Sequence, residues 1–200
     1  KKNNLKHTGF NNIKSVWLNK LKIARKQKKK PGLDYKIITS WNGLMISGYV
    51  NAYKAINDEV FMNEAINAGE FIYSNLVKSD GGLFHNYVNG QSKINGYLED
   101  YAMVIQASLD LYEITLNQLW IERALKLSEY VINNFSSSES ELFYFTSKKD
   151  EDLISRSVEF RDNVIPSSNS IMAKNLFRLY HYFDKEEYYE RSKNMSLSVT

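Results

Sequence analysis

The sequence predicts an all-α fold of about three helical hairpins joined through short β-hairpins, and three observations carry that expectation. One segment recurs three times without internal gaps, each copy has the apolar spacing of a helix, and the stretches between copies alternate as strands do. The copies are WNGLMISGYVNAYKAINDEVF (41–61), DYAMVIQASLDLYEITLNQLW (100–120) and SNSIMAKNLFRLYHYFDKEEY (168–188). Met45, Val104 and Met172 fall in register, as do Tyr53, Tyr112 and Tyr180, then Phe61, Trp120 and Tyr188.

The chain opens on residues 1–39, read as a linker and a leading helix. Ile13, Trp17, Leu21 and Ala24 share one helical face, and Pro31-Gly32 stops the helix. Lys20, Lys22, Arg25 and Lys26 offer either a nucleic-acid contact or, more simply, cations at the negative end of a helix dipole. Residues 40–200 carry the hairpin repeats. In each repeat a first helix, apolar most of the way round and broken only by residues such as Ser47, Asn51, Gln106 and Ser108, is buried on both sides. A turn follows near Asn57-Asp58, Asn117 or Asp184, then a second helix with one apolar stripe and a charged back. Phe61, Ala65, Ala68, Ile72 and Leu76 draw that stripe in the first repeat, and Trp120, Ala124, Leu127, Val131 and Phe135 draw it in the second. Inner and outer helices that alternate in this way make an open helical array or a closed α/α toroid. The spacing predicts helices over 12–28, 41–56, 59–77, 100–115, 118–135, 169–183 and 185–199, and β-hairpins over 83–95 and 142–160.

Composition narrows the function classes. A net charge of +3 is too small to require a polyanionic partner. The absence of cysteine removes disulfides, thiolate metal sites and cysteine nucleophiles, and suits the cytoplasm. No apolar run reaches the roughly 20 residues of a membrane span, no leader pattern opens the chain, and no phosphate-binding glycine loop occurs. The three histidines, His7, His85 and His181, share no ligand spacing, so neither a metal nor another cofactor is expected.

The candidate chemistry lies where the connections run into the inner helices. Glu99 and Asp100 are neighbours about 100° apart on a helix, so they do not face each other. Glu99 with Asp162 across the mouth supplies the two carboxylates of glycoside hydrolysis, whereas Asp100 serves as a third catalytic carboxylate or as a helix cap. Trp41, Tyr97 and Tyr101 offer flat faces to a sugar ring or fill the core. Asn42 and Asn169, aligned by the repeat, bond a ligand hydroxyl or tie down a loop. Arg161 holds a ligand carboxylate or neutralises Asp162, and His85 overhangs the mouth from the first β-hairpin.

Three blocks, DYKIITSWNGLMISGY, INGYLEDYAMVIQASLDLYE and DNVIPSSNSIMAKNLFRLY, resemble motifs of the thioredoxin-domain-containing proteins typified by bacterial YyaL and mammalian spermatogenesis-associated protein 20. The resemblance covers about residues 10–200, with Pro166-Ser167-Ser168-Asn169-Ser170 standing where the family has P-S-G-N-S. It implies an incomplete (α/α)6 toroid, similar to six-hairpin glycosidases and N-acylglucosamine 2-epimerases, whose remaining half and thioredoxin-like domain lie outside this chain. It implies no particular reaction. Two functions stand open: an enzyme domain acting on a carbohydrate or related polyol at the toroid mouth, or a non-catalytic scaffold that binds a ligand or partner.

Overall fold

The computed structural model describes residues 7–150 and 155–198. Helix α1 (His7–Lys26) belongs to a compact unit within residues 1–34 and ends on Arg25 and Lys26, cations that suit a helix C-terminus. It begins five residues before the predicted start.

The second unit, residues 35–200, holds the hairpins. The inner helices are α2 (Thr39–Ile56), α4 (Leu98–Thr115) and α6 (Ser168–Phe183), with α4 packed between the other two. The outer helices α3 (Glu59–Asn75), α5 (Gln118–Phe135) and α7 (Glu186–Leu197) each fold back on the inner helix that precedes them. Burial follows from that order. The middle helix α4 buries Tyr101, Met103, Val104, Ile105, Leu109 and Leu111, residues that point in every direction round its axis. Polar residues on the inner helices bond to one another: Ser47 Oγ donates to Asp110 at 2.6 Å, and Arg178 pairs with Asp110 at 2.8 Å and Glu113 at 2.7 Å. That network ties α2, α4 and α6 together away from their N-termini. Among the described residues no helix is long and apolar enough to cross a membrane.

The repeat survives into backbone detail. Asn57, Leu116 and Asp184 occupy the same repeat position, and each ends its inner helix in the left-handed conformation at φ 58°, 52° and 52°. The next residue starts the outer helix, where Asp58 accepts from Val60 N at 3.0 Å and Asn117 from Leu119 N at 3.1 Å. Asparagine and aspartate tolerate the left-handed region, but leucine is strained there by about 1–2 kcal/mol. Leu116 is 74% exposed, so its replacement sacrifices little packing. Leu116→Asn is therefore expected to stabilise the fold by about 0.5–1 kcal/mol, read as a melting temperature about 2 °C higher. An unchanged or lower value would remove strain from the account of this turn.

The first connection forms the predicted hairpin, with antiparallel bridges between Val88 and Gln91 and between Phe84 and Asn95, whereas the second departs from it. The turn at Asn89-Gly90 forms as expected, with positive φ at both residues and mutual hydrogen bonds between Val88 and Gln91 at 2.9 and 3.0 Å. Beyond it, however, β2 (Asn86–Tyr87) pairs antiparallel with β1 (Ile37–Ile38), just ahead of α2. No regular hairpin forms over 142–160 among the described residues; residues 151–154 of that predicted hairpin lie outside them. Phe143 bridges to Ser136, and Phe145 N bonds to Ser157 O at 2.8 Å, but side chains take other backbone groups. Asn169 holds both polar groups of Phe143, and Asp150 accepts from Ser147 N at 2.9 Å.

Candidate functional site

Asp100 organises the N-terminal end of the inner helices. It sits in the first turn of α4, fully buried, where free helix N–H groups and the positive end of the dipole favour a carboxylate. Its Oδ2 accepts from Tyr97 N and from His85 Nδ1, both at 2.9 Å, while Oδ1 accepts from Ser40 N in the first turn of α2, also at 2.9 Å. The loop carrying His85 is stitched to the same turn of α2, since Thr39 N bonds to His85 O at 2.9 Å and Thr39 Oγ1 to Phe84 O at 2.6 Å. Asp100 thus does more than cap one helix. It joins α2, α4 and the first connection.

The surrounding charges hold protons. Burial pushes the Asp100 carboxyl above its usual range, against the pull of His85 and the N–H groups of Tyr97 and Ser40. His85 is pushed up by its hydrogen bond to Asp100, with burial opposing and the Asp100 and Glu99 charges assisting. Glu99, half-buried at the start of α4, is raised by burial first and then by the charge of Asp100, with His85 opposing and Glu159 adding to the rise. One donor atom from each of His85, Glu99 and Asp100 lies within 4.8 Å of the others, a separation that a cation can bridge. Both Asp100 oxygens already accept N–H donors, however, so the arrangement suits a shared proton better than a metal ion. His85 Nδ1 is committed to Asp100, and its Nε2 makes no hydrogen bond to the described residues.

The other predicted residues divide into framework and rim. Asp162 is exposed and caps α6: its Oδ1 accepts from Ser167 N at 2.8 Å and Ser170 Oγ at 2.9 Å, and those bonds hold its carboxyl below the usual range. The carboxylate whose charge reaches Glu99 from that connection is Glu159, which accepts from Ser168 N at 3.2 Å and Ser168 Oγ at 2.7 Å. The sequence reading missed Glu159 because it assigned that residue to the second strand of the 142–160 hairpin, away from any helix start. Arg161 lies over Phe160, 5.6 Å from the ring centroid, with no ion pair to Asp162 among the described residues. Ser167, in the motif with the altered serine, accepts from Ser170 N at 3.2 Å as the N-cap of α6.

Asn169 is buried with its amide spent on the loop: Phe143 N to Oδ1 at 2.8 Å, and Nδ2 to Phe143 O at 3.0 Å and Glu159 O at 2.7 Å. Asn42 Nδ2 donates to Ile38 O at 2.8 Å. Tyr101 is a core residue, stacked on Tyr130 at 5.4 Å, its hydroxyl accepting from Leu83 N at 2.8 Å. Tyr97 stacks on Phe145 at 5.0 Å and meets His85 edge-on at 4.9 Å, so its ring supports His85. Trp41 is exposed and lines a cleft of about 340 Å³ with Lys36, Ile37, Ala68 and Phe71, none of which belongs to the acidic cluster.

No family model matches the chain. Human spermatogenesis-associated protein 20 is 32% identical over 185 residues, 87% of this chain and 23% of the human protein. The rat protein of that name is 34% identical over 174 residues, 82% of this chain and 22% of its own length. The chain therefore spans under a quarter of these relatives. Among solved structures, an α-1,6-mannanase of Salegentibacter sp., an inactive double Asp→Asn variant in complex with α-1,6-mannotriose, is similar at a TM-score of 0.67 with 16% identity, over 97% of this chain and 54% of that one. A cellobiose 2-epimerase from Bacillus thermoamylovorans is similar at 0.65 and 16%, over 92% and 54%. A D-mannose isomerase gives 0.65 and 15%, over 80% and 40%. These likenesses establish the fold, that of part of an (α/α)6 toroid. The hairpin register, the three motif blocks and the two spermatogenesis-associated relatives agree, and the chain belongs to the spermatogenesis-associated protein 20 family.

Proposed function

We propose that the N-terminal end of α2, α4 and α6 is a binding site for a carbohydrate or related polyol, with Glu99 as the side chain that meets the ligand. The observation that carries this reading is Glu99 itself: a half-buried carboxyl beside a fully buried Asp100–His85 pair, at the end of the helices where two long connections return. Such an environment desolvates the carboxyl and favours its protonated form, which structural caps do not need. The sugar ligands and substrates named for the structural neighbours support the same class. A consecutive pair of acids is also what is altered in the inactive mannanase variant, although likeness of fold alone does not align that pair with Glu99-Asp100. For a second carboxylate near the ligand we favour Glu159 over Asp162, whose Oδ1 already serves the first turn of α6. The remaining hairpins and the thioredoxin-like domain implied by the family would complete the protein.

Saturation-transfer NMR on the full-length protein with D-mannose and cellobiose tests the reading. Transfer to the sugar protons is expected, with affinity at least about tenfold weaker in Glu99→Ala, the loss of one charged hydrogen bond. No transfer, or equal transfer in the variant, would remove Glu99 from any such role.

A further inference from the structure

We infer that the cationic hollow formed by the second half of α1 and residues 28–33 binds the phosphate backbone of a nucleic-acid duplex, whatever its sequence. The inference stands apart from the proposed sugar site and shares no residue with it.

The net charge of +3 conceals a division of the chain. Residues 1–33 hold eleven of the 26 lysines and arginines and none of the 23 aspartates and glutamates, a formal +11, whereas residues 34–200 carry −8. A segment so one-sided in charge marks a surface for polyanions. The fold then gathers part of that charge. Lys22, Arg25 and Lys26 of α1, with Lys28, Lys29 and Lys30 beyond its end, line one hollow of about 1010 Å³. All six are exposed, and the lining includes no acidic and no aromatic side chain. The chain turns into the hollow through Lys28 N, which bonds to Arg25 O at 3.1 Å.

The lining decides among polyanions. Single strands are held by bases stacked on aromatic rings, and the hollow has none. An anionic membrane takes an interfacial helix through an apolar face set among cations. The apolar stripe of α1 runs through Trp17, but Lys22 and Lys26 lie about 140° and 180° round the helix from it. Stripe and hollow therefore do not meet one flat surface together. A duplex backbone asks only for clustered cations with reach, and it needs no base contact.

The hollow also lies on the side that outer helices keep in water. In α5 the stripe of Trp120, Ala124, Leu127 and Val131 is buried and the charged back is exposed. Helix α1 has the same division, with Ile13, Trp17, Leu21 and Ala24 as its stripe. Contacts with other parts of the full-length protein fall on that stripe and leave the opposite, cationic side open.

The test is an anisotropy titration of the full-length protein with a labelled DNA duplex of about 20 base pairs, at salt from about 50 to 300 mM. Dissociation constants of about 1–100 μM near physiological salt are expected, alike for two unrelated sequences. The six cations set a log–log salt slope of about −5. Lys28→Glu/Lys29→Glu/Lys30→Glu, beyond the helix and removing no packing, should weaken binding at least about tenfold and flatten the slope by about 3. Lys93→Glu/Lys126→Glu/Lys174→Glu changes the net charge equally, on exposed residues of the other unit, and should leave binding within about twofold. No binding, or equal loss in both triple variants, overturns the inference. Stronger binding to anionic phospholipid vesicles, with the duplex displaced by them, overturns it too and makes this surface a membrane contact.

Discussion

Gly43→Ala is expected to destabilise the fold by about 1–3 kcal/mol, seen as a lower midpoint in chemical denaturation and a melting temperature down by several degrees. An alanine Cβ at this position would lie 2.8 Å from the Met103 carbonyl carbon and 2.9 Å from its oxygen and Cβ. Those are mainly backbone atoms of α4, the most buried helix of the unit, so no flexible side chain can yield; the helices themselves must part. The consequence reaches the site, because α2 also presents Ser40 N to Asp100. Gly48, one turn and a half further along α2, provides the control. Nothing lies within 4 Å of a Cβ built there, and Gly48→Ala is expected to stabilise by up to about 1 kcal/mol through helix propensity alone. If both alanines behave alike, close approach of α2 to α4 is not what Gly43 serves.

Gly43 also shows what part of the molecule could be read from sequence. The Trp41-Asn42-Gly43 trio opens the first copy of the repeat, and its last two members have local physical explanations: Asn42 bonds back to Ile38 O, and Gly43 admits α4. All six hairpin helices were legible to within two residues at both ends, because an apolar stripe and an N-terminal turn recur in one register. Two-residue strands carry no such period. The pairing of Ile37-Ile38 with Asn86-Tyr87 joins segments almost fifty residues apart and leaves no alternation long enough to see. The site was legible in outline only. Glu99 and Asp100 were visible as acids at a helix start, but the partner of Asp100 is His85, fifteen residues earlier in a loop, and the charge from the second connection that acts on Glu99 is Glu159. Contacts of that kind depend on where connections come to rest, which propensity and spacing do not determine.

Asp100→Asn is expected to cost about 1–3 kcal/mol near neutral pH, the penalty of a buried N–H left without an acceptor. Three donors converge on two carboxylate oxygens, one on Oδ1 and two on Oδ2. An amide of the same shape keeps one acceptor, so whichever way it turns, the backbone N–H of Ser40 or of Tyr97 meets an NH2 group. The loss should also depend on pH with a definite sign. His85 and Asp100 both have folded pKa values raised above their unfolded ones. Each therefore contributes stability that is fully present below its unfolded pKa and is lost as pH rises through the folded one. Removing the carboxylate removes both contributions, so the wild type should exceed the variant by more at pH 5.5 than at pH 8.5. Denaturation curves at those two values decide the matter, together with the His85 ring-proton titration, whose midpoint should lie above 6.5 in the wild type and fall in the variant. A difference that is flat or grows toward alkaline pH would mean that Asp100 and His85 do not share a proton.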